Sequence, residues 1–117
     1  MNCQTLEKAG INYNEGVQRF SNNNALYEKF LNKFLVDETM SDCRKAIESK
    51  DFDAILKTVH TLKGVSGNLS MNILYKRCAL IVDAIRSGDE DAKNEIFEMF
   101  CDVEQSYALI IEALKAE

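Results

Sequence analysis

The chain has 117 residues, 14 Lys plus Arg against 19 Asp plus Glu, a formal net charge of −5 and 46% hydrophobic residues. That length suits one domain that needs no metal or disulfide to fold, and the acidic balance argues against a nucleic-acid binder, which presents a basic face. No apolar run reaches the about 18 residues of a membrane span, and the polar start MNCQTLEKAG does not read as a signal peptide, so a cytoplasmic location is expected.

Proline is absent and glycine occurs five times, too few turn residues for an all-β domain. The hydrophobic spacing is helical nearly throughout. Tyr13, Val17 and Phe20 predict a short first helix opening near Asn12 or Asn14, and the Ser21–Asn24 cluster reads as a loop with a helix-capping residue. Leu26, Phe30, Leu31, Phe34, Leu35, Met40, Cys43 and Ile47 then trace an amphipathic helix over 24–49, with no glycine or proline to break it. Lys50-Asp51 is the next break, with Asp51 as N-cap. Phe52, Ile55, Leu56, Val59, Leu62, Val65 and Leu69 form the apolar stripe of a helix over 51–69, and the next turn falls within 68–72. Leu74, Cys78, Ile81, Val82 and Ile85 mark a helix over 72–87, ended by Ser87-Gly88-Asp89. Ile96, Phe97, Phe100, Val103, Tyr107, Ile110, Ile111 and Leu114 mark a last one over 90–115. Short connections make neighbouring helices antiparallel. The expected fold is all-α, an up-down antiparallel four-helix bundle with a short extra N-terminal helix, in a single domain over 1–117.

Cys3, Cys43, Cys78 and Cys101 form no closely spaced pair, and His60, the one histidine, lies far from them in sequence. Zinc sites need paired ligands, so no metal is expected. Cys43, Cys78 and Cys101 fall in apolar patterns and are expected to be reduced core residues.

The segment from Lys57 to Gly67 is not explained by packing alone. Gly64 and Gly67 sit inside a helical pattern, where each is about 1 kcal/mol less favourable than alanine. Neither falls on the apolar stripe. Helical spacing puts both on another face with Lys57, His60 and Lys63. A solitary helical histidine is more often a surface or hydrogen-bonded residue than a reactive one, and glycines often serve close helix packing. Here, however, one face combines a nucleophilic imidazole, cations suited to a phosphate and bare backbone suited to a docking partner. That combination points to phosphoryl transfer through histidine.

The string His60-Thr61-Leu62-Lys63-Gly64-Val65-Ser66-Gly67-Asn68-Leu69 resembles the H-x-L-K-G-x-x-G-x-L core of the histidine-containing phosphotransfer (HPt) domains of two-component phosphorelays. Ala25–Phe30 resembles the family's second helix. Leu74, Cys78, Asp83 and Ser87-Gly88-Asp89 resemble its later helix and turn. Ser70 departs from the family pattern, which has glycine there, and implies a changed turn geometry. Val65 stands where a small residue is usual and narrows the partner surface. The resemblance implies that His60 accepts a phosphoryl group from a receiver-domain phospho-aspartate and passes it to another receiver. Lys63 would stabilise the phosphate charge, with Lys57 in a weaker supporting role, while Gly64 and Gly67 clear the docking face. The implied partners are receiver domains of response regulators or hybrid sensor kinases, which bring the Mg2+. This chain is expected to bind no cofactor, nucleic acid or membrane and to be a monomer.

A sensor kinase also carries its histidine on a helical bundle, but its acceptor box has an acidic residue next to the histidine and a proline further on. Thr61 follows His60 here, and there is no glycine-rich nucleotide motif. No ATP-dependent kinase activity of its own is therefore expected. The competing possibility is a helical docking module that binds a receiver or other partner without phosphoryl chemistry.

Overall fold

Helix starts are written in the side chains. In the computed structural model, which describes residues 1–117, Asn2, Asn12, Asn23, Asp51 and Asp89 each accept backbone N–H bonds across a first helical turn, satisfying donors that a helix leaves orphaned. The resulting helices are α1 (Cys3–Lys8), α2 (Tyr13–Arg19), α3 (Asn24–Phe34), α4 (Thr39–Ser49), α5 (Phe52–Asn68), α6 (Asn72–Arg86), α7 (Glu90–Asn94) and α8 (Ile96–Lys115). The chain is all helical, and only an isolated bridge joins Ile11 to Met71. No helix is long and apolar enough to cross a membrane.

The principal packing runs from α4 to α5, from α5 to α6 and from α6 to α8, in a body of 43 × 23 × 20 Å. Ile55, Val59 and Leu62 of α5, Leu74, Cys78, Ile81 and Val82 of α6, and Ile96, Val103 and Ile110 of α8 are fully buried together. The apolar stripes expected for these three helices therefore form the core.

The helix expected over 24–49 is broken. α3 ends at Phe34, Val36 is 81% exposed, and α4 begins at Thr39. Asp37 explains the break, because its Oδ1 accepts the Thr39 N–H at 2.8 Å. A short acidic side chain here offers the backbone an alternative to the continuing helix. α3 buries Leu31 and Phe34 of the expected stripe together with Tyr27, but leaves Leu26 and Phe30, expected on the same stripe, more than a third exposed. The helix expected over 90–115 is likewise divided, at Glu95. Cys101 is exposed, whereas Cys43 and Cys78 are buried as expected. An additional helix, α1, precedes the short one anticipated from the sequence and buries Leu6.

The turn between α5 and α6 is tightly held. Met71 N–H donates to Ser66 O at 2.9 Å and Ser70 N–H to Gly67 O at 3.2 Å, a Schellman motif whose left-handed residue is normally glycine. Ser70 occupies that position with φ 55°. The serine thus keeps the left-handed turn a glycine would make instead of changing it, and accepts the steric cost, about 1–2 kcal/mol for a residue with a Cβ. The N-terminal segment clamps this turn. Asn12 N–H donates to Ser70 O at 2.9 Å, Tyr27 Oη to Leu69 O at 2.6 Å and Ser70 Oγ to Glu15 Oε1 at 2.9 Å.

Candidate functional site

α5 has two faces with different compositions. Ile55, Val59, Leu62 and Ser66 point inward and are fully buried, while Lys57, His60, Thr61 and Gly64 are exposed. His60 belongs to neither the core nor its partly buried margin. The imidazole is therefore available to a partner and is not a packing residue.

His60 lines a shallow depression with Asp53, Leu56, Lys57, Thr61 and Arg86. Lys57 is one turn before His60 on the same helix. Arg86 comes from the last turn of α6, where the close packing of α5 on α6 brings it level with the first half of α5. Two cations thus border the imidazole, with Asp53 the one carboxylate among the lining residues.

Lys63 takes a different position. It lines a neighbouring depression with Arg19, Gly64, Gly67, Asn68, Asn72 and Tyr75, and its Nζ lies over the Tyr75 ring, 5.6 Å from the centroid. A cation over an aromatic face at an exposed site is held by about 0.5–1 kcal/mol, so the contact is weak.

The two glycines are not equivalent. A Cβ at Gly64 would meet nothing within 4 Å, whereas one at Gly67 would come within 3.0 Å of Tyr75 Cδ2. Gly67 therefore already serves an internal contact, letting the Tyr75 ring lie against α5. Gly64 has no neighbour in the chain that requires its bareness. Of the residues singled out from the sequence, the structure brings Lys57 to His60, sets Lys63 and Gly64 one turn further on, and gives Gly67 a packing role.

Arg86 and Arg19 were not legible as site residues, because each comes from a different helix. Counting back from the turn at 69–71 would have placed residue 86 beside the start of α5. Nothing local in the sequence sends Arg19 to Gly67.

Other nucleophiles compete poorly. Burial pushes the Cys43 thiol up to about 11 and the Cys78 thiol up to about 12, so both stay protonated and shut away. No three His, Cys, Asp or Glu residues are grouped to hold a metal ion.

Comparison with known proteins agrees with this geometry at the level of family. No curated protein and no solved structure matches the chain. The family model of the Hpt domain matches residues 27–117, which span α4, α5, α6, α7, α8 and most of α3. The chain belongs to the Hpt domain family, whose members carry phosphoryl groups in two-component signalling and interact with receiver domains.

Proposed function

We propose that this chain is a phosphorelay intermediate in which His60 is the phospho-acceptor. The observation that carries this is an exposed imidazole, bordered by Lys57 and Arg86, one turn before a helical glycine that nothing in the chain itself requires. A ring nitrogen of His60 attacks the phosphorus of a receiver phospho-aspartate with its lone pair. The bond from phosphorus to the aspartyl oxygen breaks and leaves the carboxylate on the receiver. The reverse sequence on a second receiver passes the group on. Such transfer depends mainly on positioning and charge stabilisation.

Lys57 and Arg86 offset the charge of the incoming group, and Lys63 joins them by leaving Tyr75. Gly64 gives the receiver close approach to the helix backbone. The receiver brings the Mg2+, so this chain needs only the imidazole and its cations. α4, α5, α6 and α8 serve as the four rods of an up-down bundle, with α3 and α7 leading into α4 and α8, and we place the monomeric protein in the cytoplasm.

The test is to incubate the chain with radiolabelled phospho-receivers, from response regulators and hybrid kinases, and follow the label. Label should reach His60 as an acid-labile, alkali-stable phosphoramidate and move on to a second, unlabelled receiver. Receiver binding without label transfer would establish the docking module instead. Label on a carboxylate or hydroxyl would overturn the assignment of His60.

A further inference from the structure

Arg19 stands outside the residues that match the family, 27–117, yet it borders the exposed side of α5. It lines the polar depression with Lys63, Gly64, Gly67 and Asn68. It also lines a larger groove, of 660 Å³, with Phe20, Phe30, Lys33, Val65 and Leu69 among its walls. Arg19 therefore forms the ridge between an apolar groove and the face that carries His60. Asn68 borders Arg19 in both depressions. It lies eight residues past His60, about 12 Å along the helix axis at 1.5 Å per residue. Arg19 does not line the depression that holds His60, but it borders Gly64 and is well placed to meet a protein docked there.

A long side chain on a short helix is an imprecise recognition element unless something holds it. Here the support is Glu15, whose Oε1 lies 3.6 Å from Arg19 Nε. The same oxygen accepts the Ser70 Oγ hydrogen bond at 2.9 Å. Ser70 is fully buried and sits where the resembled family pattern has glycine. The left-handed strain of a serine at φ 55° is thus accompanied by a hydroxyl that glycine lacks, directed at the carboxylate that holds Arg19.

We propose that Arg19 is a partner-selecting residue of the transfer face, that Glu15 and Ser70 are its positioning residues, and that it pairs with a carboxylate on the docking surface of the incoming receiver. The inference rests on phosphotransfer at His60. It assigns to residues before the family match a part in choosing which receiver is served. Lys63 lines the polar depression with Arg19 and no carboxylate is among its lining residues, so that side of Arg19 favours an anionic partner group. Rim charges of this kind act chiefly on encounter and on salt dependence.

The test uses a phosphorylated receiver that labels the parent chain, with single-turnover transfer measured across receiver concentration and salt. Arg19→Gln should raise the half-saturating receiver concentration about fivefold, the upper range for an exposed ion pair. It should leave the plateau rate unchanged and flatten the salt dependence. Arg19→Lys should restore part of the loss. Ser70→Gly, which suits a left-handed φ, should raise half-saturation about twofold, because the arginine is loosened but not removed. In the Arg19→Gln background it should do nothing further. If Ser70→Gly fails to fold, Glu15→Gln breaks the same link and should show the same dependence on Arg19. Unchanged half-saturation and salt slope in Arg19→Gln, with the parent fully active, would overturn this inference alone. A Ser70→Gly or Glu15→Gln effect that persists without Arg19 would overturn the positioning role. A parent chain that takes label neither from receivers nor from phosphoramidate, which phosphorylates imidazole with release of ammonia, would instead refute phosphotransfer at His60.

Discussion

Gly64 is where stability and function should separate most cleanly. The residue is exposed in the middle of α5, and a Cβ there would meet nothing within 4 Å. Replacing a helical glycine by alanine limits the unfolded chain and improves helix propensity, worth about 0.5–1 kcal/mol when no clash results. For a domain of 117 residues the unfolding entropy near the midpoint is about 0.25 kcal/mol per degree. Gly64→Ala should therefore raise Tm by about 2–4 °C. Gly64→Gln should keep most of that gain, because its side chain extends into open space. The same side chain would occupy the volume through which a receiver reaches His60. A displacement of about 1 Å from reacting geometry can cost on the order of 100-fold in rate, and Gly64→Gln should lose transfer on that scale. Gly67→Ala is the internal comparison. Its Cβ would press on the Tyr75 ring, so it should melt below Gly64→Ala despite the same gain in propensity. Circular dichroism melts and quenched transfer assays on the three variants supply the measurements. A Gly64→Ala protein that melts below the parent would refute the open environment of this position. A Gly64→Gln protein that transfers at the parental rate would show that the partner docks elsewhere.

Four further outcomes are expected. His60→Gln should abolish label uptake and leave the melting curve almost unmoved, since the side chain is exposed and outside the core; a collapsed fold would make His60 structural. Lys57→Ala and Lys63→Ala should each slow transfer, by up to about tenfold, because a single cation assists charge development without forming the bond; negligible effects of both in quench-flow would return the lysines to the solvated surface. Ellman titration at pH 8 should detect the two exposed thiols, Cys3 and Cys101, and all four only after unfolding; burial raises the Cys43 thiol from 9.0 to about 11, so its contribution to stability is complete below pH 9 and is lost as pH rises towards 11, visible as a falling Tm. Gly16→Ala should destabilise by about 1–3 kcal/mol, the usual cost of overpacking, because its Cβ would run into the buried Tyr27 ring; an unchanged melt would mean that the ring can move.

The sequence was most legible where one helix carries its own cap and stripe. α5 has Asp51 to begin it and Ile55, Val59 and Leu62 at helical spacing to bury it. Its other face therefore follows from geometry alone, and His60, Lys57 and Gly64 are found there. Legibility fails where a single side chain redirects the backbone or where the deciding contact comes from another helix. The break after α3 has no glycine or proline, and its one side-chain mark is Asp37, whose carboxylate accepts the Thr39 N–H. Cys101 follows Phe100, a buried residue, and a step of one residue turns about 100° around the helix, which is enough to carry the thiol to the surface. The packing role of Gly67 depends on Tyr75 of α6, a neighbour that no spacing within α5 could disclose.

The family match begins at residue 27, but the physical domain begins earlier. Leu6 and Ile11 are as buried as any residue of α5 or α6, so removing them would leave a gap in one continuous core. The earlier segment also bears on the site. Tyr27 occupies the space left by Gly16 and donates its hydroxyl to the carbonyl of Leu69, one residue past the end of α5. Asn12 and Glu15 bind the backbone and side chain of Ser70. The C-terminal end of the histidine-bearing helix is thus fixed in part from before the family match, by Asn12 and Glu15, through contacts within two residues of Asn68. On the proposed reading, a receiver docking over Gly64 would meet a surface braced by Glu15 of α2 and bordered by Arg19 of the same helix. If Arg19 selects the partner as proposed, residues before the family match would change partner choice and leave the acceptor chemistry of His60 the same, because Arg19 does not line the depression that holds His60.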